Sequence, residues 1–365
     1  MKVSVITRHA VSNYGSLLQA LATQKLIEQL GHQSEIIDYV REDELPKHIE
    51  QTMLRLKPRW NRNLATKVLY LSLRQPASLL AGWRFAEERK KYLRLSNRYT
   101  SVNELRRDKP KADIYMTGSD QVWGPIGADS FDDAYLLSFC ADDDKKVSLA
   151  ASFGRVHLGQ DEASLRSLLS RYDLLTVRED SAVEKLTSWG MHSQQVLDPT
   201  LLLAPKTWET LASPPQSKDD YVLVYEVHNN PRIGSYAAML AEAEGVSLFR
   251  VSPALHQVTR PGRLMLLPTA AEFLSYIKHA RYMVTDSFHG TVFALVFKTP
   301  FIEVLPNETA TRNSSILSLT GLSERILTRD DDLELAGKPI DFEAVHEKLA
   351  LERAASLRAI EKMIR

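Results

Sequence analysis

The sequence predicts an α/β protein in which two domains are each built around a parallel sheet. Three observations support this prediction. Short runs of apolar and β-branched residues recur along the chain, helical patterns separate them, and 365 residues are more than one hydrophobic core usually holds. Because the runs are apolar almost without interruption, both faces of each sheet are expected to be covered by helices.

Eleven apolar runs are the candidate strands. In chain order they are KVSVIT (2–7), SEIIDY (34–39), ADIYMTG (112–118), KVSLAASFG (146–154), LLTVRE (174–179), VLDPTLLL (196–203), YVLVYEV (221–227), SLFRVS (247–252), LMLLP (264–268), RYMVTD (281–286) and PFIEVL (300–305). Their alternation with helical segments is typical of βαβ units.

Two domains and a terminal helix are predicted from these patterns. The boundary is placed in APKTWETLASPPQSKDD (204–220), where prolines, serines and charges interrupt the pattern. The predicted N-terminal domain is 1–205 and the C-terminal domain is 206–340. Residues 341–365 carry apolar side chains on one helical face behind Asp341, a candidate N-cap, so a long docking helix is expected there.

Cysteine content and hydropathy limit the class of protein. Cys140 is the only cysteine, so an intramolecular disulfide is excluded, and its apolar surroundings favour a buried residue over a nucleophile. The first residues lack the pattern of a secretory signal, and no run approaches the roughly 20 apolar residues of a membrane span. The protein is therefore expected in the cytoplasm.

The segment from about 46 to 100 differs from the rest of the chain. Between Pro46 and Arg98 there are thirteen Lys or Arg and three acids, and the pattern is helical without strands. A helical insertion in the first domain is predicted. It is either a solvated hairpin that covers the sheet or a surface that meets anionic lipid headgroups. Nucleic acid is not expected, because no binding motif accompanies the charge.

Six polar clusters directly follow predicted strands. They are NYGS (13–16), TGSDQVW (117–123), SFG (152–154), VRED (177–180), LDPT (197–200) and TDSFHG (285–290). Ligands of open α/β sheets bind at the carboxyl ends of the strands, so the six clusters predict one site.

Each cluster also has a purely structural interpretation. Asn13 can be an N-cap and Gly15 a packing residue, while Ser119 and Asp120 can form a turn. Glu179 suits the positive end of a helix, and Asp198 before a proline can shape a turn. These alternatives remain open from the sequence.

Arg178 and His289 are harder to explain by structure alone. An arginine beside a helix N-terminus can bind an oxyanion with two parallel hydrogen bonds. His289 begins a predicted helix, where free N–H groups attract an anion and the imidazole can donate a proton. Gly290 would let a ligand approach the backbone.

Several common enzyme motifs are absent from the sequence. There is no GxGxxG after the first strand, and no P-loop, GxSxG or HExxH. The acidic runs 142–144 and 330–332 lie in polar surroundings typical of solvated loops, so no metal is predicted.

The series of motifs resembles the polysaccharide pyruvyl transferase family. The resemblance covers nearly the whole chain, from NYGSLLQALATQKLIEQLGHQSEIIDY through TGSDQVW, AASFG, VREDSAVEKL, VLDPTLLL and TDSFHGTVFALVFKTPFI to LTGLSERIL. It implies two Rossmann-like domains facing a cleft, similar to the GT-B architecture, with the last helix crossing back. It implies no cofactor.

The resemblance also implies the reaction. A pyruvyl group passes from phosphoenolpyruvate to two hydroxyls of a sugar, a ketal forms and phosphate is released. The family's histidine falls on His289 and its arginine–acid pair on Arg178 and Glu179. Its members build exopolysaccharide or cell-wall glycans, so the expected partners are phosphoenolpyruvate and a sugar acceptor, including lipid-linked sugars.

As a hypothesis, His289 protonates C3 of the enol while Asp120 or Glu179 accepts the hydroxyl proton. Arg178, Arg312 and the helix N-terminus would neutralise phosphate and carboxylate. The substrate-binding candidates are Asn13, Tyr14, Gly15, Gly118, Ser119, Ser152, Gly154, Arg178, Asp198, Asp286, Ser287, Gly290 and Arg312.

Two rival functions fit the same architecture. A glycosyltransferase with a nucleotide-sugar donor would need a carboxylate for the ribose, for which Glu308 is the candidate. A non-catalytic glycan-binding protein could retain the fold. For the basic segment, peripheral association with the inner face of the membrane is predicted.

Overall fold

The computed structural model describes residues 1–126, 131–154, 162–306 and 310–364. The chain divides into two compact units. The first unit comprises Met1–Pro199 and Ala359–Arg365, and the second comprises Thr200–Arg358. The prediction of two parallel-sheet α/β domains is confirmed, since the described residues of each unit contain one parallel sheet.

The sheet of the first unit has the strand order β3-β2-β1-β4-β5-β6-β7, and all its neighbouring strands pair in parallel. The strands are β1 (Lys2–Ile6), β2 (Gln33–Tyr39), β3 (Leu95–Tyr99), β4 (Ile114–Thr117), β5 (Lys145–Ala151), β6 (Leu174–Val177) and β7 (Gln194–Gln195). β4 is buried along its whole length, as a strand covered on both faces should be.

The sheet of the second unit has the order β10-β9-β8-β11-β12, also fully parallel. Its strands are β8 (Tyr221–Tyr225), β9 (Ser247–Ser252), β10 (Arg263–Leu266), β11 (Tyr282–Thr285) and β12 (Phe301–Glu303). The order reverses beside β8, and the carboxyl ends next to such a reversal are where open sheets bind ligands.

Helices connect the strands. They are α1 (Tyr14–Gln29), α2 (Ile49–Arg55), α3 (Leu64–Tyr92), α4 (Val102–Arg107), α5 (Glu162–Leu169), α6 (Asp180–Ser188), α7 (Pro199–Leu202), α8 (Pro205–Leu211), α9 (Pro231–Glu244), α10 (Ala270–Lys278), α11 (Phe288–Phe297), α12 (Ala310–Thr320), α13 (Glu334–Gly337) and α14 (Phe342–Ile364). None in the described part of the chain is long and apolar enough to cross a bilayer.

Several sequence predictions of local structure are confirmed. Asn13 caps α1 by accepting hydrogen bonds from the Gly15 and Ser16 amides. Asp341 caps α14 by accepting from the Ala344 amide at 3.0 Å. Cys140 is buried, and burial raises the pKa of its thiol to about 12, which does not suit a nucleophile.

Two local predictions are wrong. VLDPTLLL is not a strand, because Pro199, whose fixed φ suits a helix start, begins α7 there. The basic insertion is not purely helical, because its last residues form the edge strand β3. The linker at 204–220 stays a prediction; this segment contains α8, whose Trp208 is fully buried and packs on Phe293.

Candidate functional site

Arg178 is the centre of a polar cluster at the strand ends of the first unit. It directly follows β6, and only 1% of its side chain is exposed. Its Nη1 donates to Asp198 Oδ2 at 2.9 Å and to Ser119 Oγ at 3.3 Å. Asp120 Oδ1 lies 3.7 Å from Nη2, and Glu179 Oε2 lies 3.8 Å from Nε. Four of the predicted site residues therefore surround this guanidinium.

Ser119 joins the loop after β4 to the loop after β7. Its hydroxyl donates to Asp198 Oδ2 at 2.7 Å, and its carbonyl accepts from Thr7 Oγ1 at 2.6 Å. Gly118 precedes it, where a Cβ atom would lie 3.0 Å from Thr7 Cβ and from Val5 Cγ1. The tight contact between β1 and the end of β4 explains a small residue at this position.

Glu179 turns towards the end of β5 instead of capping its own helix. It occupies the N-cap position of α6, but its side chain makes no capping hydrogen bond. Glu179 Oε1 accepts from Ser152 Oγ at 2.8 Å and from the Phe153 amide at 3.1 Å. Ser152 Oγ in turn accepts from the Gly154 amide at 3.0 Å. The carboxylate thus ties the SFG turn to the start of α6.

Asp120 has an unusual backbone and the most exposed carboxylate of the cluster. Its φ is +87°, a region that costs a non-glycine residue roughly 1–3 kcal/mol and is held only by surrounding contacts. Its Oδ2 accepts from Ser16 Oγ at 2.6 Å. Its side chain is 13% exposed, against 2% for Glu179 and 0% for Asp198.

The NYGS segment contributes structure to this region. Asn13 is the N-cap already described, and Tyr14 is a core residue whose ring packs on Phe85 at 4.9 Å. Gly15 is buried in the first turn of α1. Ser16, which the sequence analysis did not select, is the member of this segment that reaches Asp120.

The charges of the first cluster are unequal. One guanidinium, Arg178, stands within 4 Å of the carboxylates of Asp120, Glu179 and Asp198. If all four are ionised, these groups sum to a charge of −2.

Asp286 closes the strand ends of the second unit. It follows β11, is fully buried, and accepts from the Val227 amide at 2.7 Å and the His228 amide at 3.1 Å. His228 Nδ1 also lies 3.3 Å from Asp286 Oδ2. The carboxylate therefore fixes the loop after β8 to the end of β11.

His289 lies in the first turn of α11. Ser287 caps the helix by accepting from the Gly290 amide at 3.3 Å. The His289 ring is 6% exposed and meets the Phe288 ring edge-on at 5.2 Å. The Arg312 guanidinium, on α12, lies 6.0 Å from the centre of the Phe288 ring. Histidine, arginine and a helix N-terminus are therefore grouped around one aromatic ring.

Gly290 is explained by packing. A Cβ atom here would lie 2.6 Å from Thr285 Oγ1, 2.9 Å from Met283 Cε and 3.2 Å from Tyr225 Cδ1. α11 therefore lies directly on β8 and β11, and the structure gives a helix-packing reason for the glycine that the sequence analysis had linked to ligand approach.

Glu303 is a buried acid that the sequence analysis missed. It ends β12, is fully buried, and accepts from Asn313 Nδ2 at 2.6 Å. Its Oε2 lies 2.5 Å from Thr291 Oγ1, whose own hydroxyl also reaches the Ser287 carbonyl at 3.1 Å. Burial raises the pKa of Glu303 to about 8. The single acid within the apolar run PFIEVL was the feature of the sequence that could have indicated a buried carboxyl group.

A buried ion pair in the second unit was also missed. Glu226 follows β8, and its Oε1 accepts from Arg250 Nη1, on β9, at 2.9 Å with both side chains almost fully buried. Burial raises the pKa of Glu226 and lowers that of Arg250. The features of the sequence that could have indicated this pair are the single charged residues inside YVLVYEV and SLFRVS.

The predicted site residues thus form two groups. In the first unit, direct contacts join six of them: Ser119, Asp120, Ser152, Arg178, Glu179 and Asp198. In the second unit, five lie around the start of α11: Asp286, Ser287, His289, Gly290 and Arg312. Glu308 lies outside the described residues.

A family model and several solved structures match the chain. The model for polysaccharide pyruvyl transferase matches residues 13–309. No curated protein matches. The chain shares the GT-B fold with its structural neighbours, which are 10–14% identical and therefore bear on the fold alone.

Three of these solved structures are the following. The Staphylococcus aureus MnaA–UDP co-structure has a TM-score of 0.53 and 13% identity over 95% of this chain and 90% of its own. Arabidopsis thaliana UGT89C1 complexed with UDP-L-rhamnose has a TM-score of 0.52 and 10% identity over 99% of this chain and 98% of its own. Methanocaldococcus jannaschii UDP-GlcNAc 2-epimerase in complex with UDP-GlcNAc and UDP has a TM-score of 0.50 and 14% identity over 96% of this chain and 93% of its own.

Proposed function

This chain belongs to the polysaccharide pyruvyl transferase family, and on that premise we propose that it transfers a pyruvyl group from phosphoenolpyruvate to two hydroxyls of one sugar. The family makes it a transferase of polysaccharide biosynthesis. The observation that carries the proposal is the family match over 13–309, which includes both strand-end groups except Arg312.

The proposed reaction balances without a redox partner. C3 of the enol gains one proton and becomes a methyl group. C2 gives up its double bond to C3 and its bond to the phosphate oxygen, and it forms bonds to two sugar oxygens. The two hydroxyls lose one proton each. One proton is accounted for by the methyl group, and the other is released with the phosphate.

His289 is the proposed proton donor to C3. The start of α11 supplies partial positive charge for an anionic donor molecule, and Arg312 adds a full positive charge beside the same Phe288 ring. Phosphoenolpyruvate carries both a phosphate and a carboxylate, so this positive group suits it.

Asp120 is the proposed acceptor of a hydroxyl proton. Of the three carboxylates around Arg178 it is the most exposed, whereas Glu179 Oε1 is held by the SFG turn. The carboxylates around Arg178 favour a role for this arginine in orienting them, in place of the phosphate contact expected from the sequence. The acceptor is a sugar, and lipid-linked sugars are included in the proposal.

The test is release of inorganic phosphate from phosphoenolpyruvate in the presence of a panel of nitrophenyl and lipid-linked sugars. His289→Gln should slow release by about 10²-fold or more, because proton transfer to carbon is lost. His192→Gln, an exposed histidine in the first unit, is the matched control and should keep the parent rate. A folded His289→Gln protein with the parent rate would remove the assignment.

Thermal stabilisation separates this function from the nucleotide-sugar alternative. A ligand that binds the folded protein raises its melting temperature by mass action. We expect phosphoenolpyruvate to raise it and UDP-sugars to leave it unchanged. The reverse pattern would favour a glycosyltransferase, and no response to either would favour a glycan-binding protein.

A further inference from the structure

The long helix α3 exposes a broad apolar face that the core does not use. The open face of α3 is defined here by seven side chains that are 47–77% exposed. They are Leu64, Val68, Leu69, Leu73, Leu79, Leu80 and Trp83. At 1.5 Å per residue this face is about 30 Å long.

The opposite face of the same helix anchors α3 to the first unit. Phe85 is 1% exposed and packs on Tyr14, and the Tyr70 hydroxyl donates to the buried Glu50 of α2 at 2.8 Å. Arg89 Nη1 donates to the Ala10 carbonyl at 3.1 Å. Burial on this side therefore explains why α3 is a helix, but it does not explain the leucines on the other side.

The charges next to the open face are almost all positive. From Gln51 to Ala86 the chain has seven Lys or Arg and no acid. Arg59 and Arg62 are exposed just before Leu64, and Lys90 and Lys91 are exposed beyond Trp83. Glu87 is the exposed acid of α3, and it pairs with Lys90 at 3.0 Å.

We propose that the open face of α3 lies on an anionic bilayer surface, with its leucines and Trp83 among the acyl chains and its Lys and Arg at the headgroups. A helix with one apolar face, a tryptophan and a basic surround binds membranes in this way. Each Lys or Arg near an anionic surface adds to the attraction.

A second copy of the chain is the less favourable occupant of this face. Pairing two open faces would bring two sets of Lys and Arg together, and like charges across an interface oppose association. A bilayer supplies apolar chains and negative charge together. The inference does not depend on the pyruvyl chemistry, so either proposal can fail without the other.

Sedimentation with vesicles tests the proposal on the full chain. The vesicles are phosphatidylcholine with or without phosphatidylglycerol, at low and high salt. We expect binding only with phosphatidylglycerol and loss of binding as salt is raised. Recovery of the protein in the supernatant under all four conditions would overturn the proposal.

Paired substitutions separate the apolar and the charged contributions. Leu73→Gln with Leu80→Gln should weaken binding at least about tenfold. Arg59→Gln with Arg62→Gln should weaken it about 30-fold at low salt. The control is Val258→Gln with Leu351→Gln, two side chains 62% and 73% exposed in the second unit, which should bind like the parent. Equal binding by all variants would overturn the proposal.

Tryptophan fluorescence reports whether the face enters the bilayer. Trp83 is 61% exposed, Trp60 is half-buried against the Tyr70 ring, and Trp123, Trp189 and Trp208 are buried. In a Trp60→Phe background, anionic vesicles should shift the emission to the blue, and Trp83→Phe should remove that shift. A lipid-free dimer in sedimentation velocity that Leu73→Gln with Leu80→Gln converts to monomer would instead assign the face to a second copy.

Discussion

The strand ends of the two units hold their buried acids in different ways. In the first unit, Asp120, Glu179 and Asp198 gather around one arginine, Arg178. In the second, Asp286 is held by two backbone amides, and Glu303 is held by a threonine and an asparagine. Three acids thus share one arginine in the first unit, whereas in the second unit Asp286 and Glu303 are held by neutral hydrogen bonds and Glu226 has Arg250 as its own partner.

The two arrangements differ in whether the side chains proposed for the chemistry also stabilise the fold. In the first unit the side chains that could accept a proton also share one guanidinium, so removing Arg178 takes the same partner from all three carboxylates. In the second unit the supporting acid, Glu303, contacts α11 and α12 through Thr291 and Asn313, without contacting His289 in the described structure. Replacing His289 therefore leaves these two hydrogen bonds of Glu303 in place.

The largest expected effect comes from removing the central charge of the first unit. Arg178→Met leaves three carboxylates without their guanidinium in a site where Asp198 is fully buried. The free energy of unfolding should fall by about 3–5 kcal/mol, measured by urea unfolding at pH 7.

The matched control for this prediction is Arg329→Met. Arg329 pairs with Asp331 and both side chains are 74% exposed, so solvent screens the pair and the loss of stability should be far smaller than for Arg178→Met. Similar losses in the two variants would contradict the description of the first cluster as an ion cluster that stabilises the fold.

The second prediction concerns pH and Glu303. Its folded-state pKa of about 8 lies above its usual value of 4.5, so its contribution to stability is full below pH 4.5 and is lost as pH rises through 8. Glu303→Gln mimics the protonated acid, since its carbonyl can accept from Asn313 and its amide can donate to Thr291 Oγ1, whose proton goes to the Ser287 carbonyl.

Urea midpoints should therefore be nearly equal for the parent and Glu303→Gln at pH 4. At pH 9 the variant should be more stable by several kcal/mol, because only the parent then buries a charge. Glu87→Gln, at a solvent-exposed acid, should show no such gain. A variant that is less stable than the parent at pH 9 would mean that Glu303 is ionised and needed as an anion.

The fold was largely predictable because parallel strands buried on both faces leave a plain apolar signature. Polar residues at their ends stood out against that background, which is how Arg178 and Asp286 were found. Glu303 and Glu226 were missed because each sits within a run assigned as strand, where a single acid was counted as part of the strand. Burial, which decides their chemistry, depends on the neighbouring helices and is not visible in local sequence.

The faces of α3 show a second limit of the sequence. Leucines and aromatic residues lie on both sides of this helix, so periodicity predicts the helix without saying which side packs on the first unit. Phe85 and Tyr70 are buried, and Leu73 and Trp83 are not. Tertiary contacts, such as those with Tyr14 and Glu50, distinguish the two faces.

The smallest expected effect tests whether the start of α11 is rigidly placed. Gly290→Ala would bring a methyl group to 2.6 Å from Thr285 Oγ1, which cannot rotate away without breaking its bonds to the Tyr225 carbonyl and the Ser287 amide. The expected loss is about 1–2 kcal/mol in the urea midpoint analysis. At Gly337 of α13 a Cβ meets nothing within 4 Å, so Gly337→Ala should be neutral or slightly stabilising. If Gly290→Ala were equally neutral, α11 would be free to move off β8 and β11, and the second unit would hold His289 less firmly than the first holds Arg178.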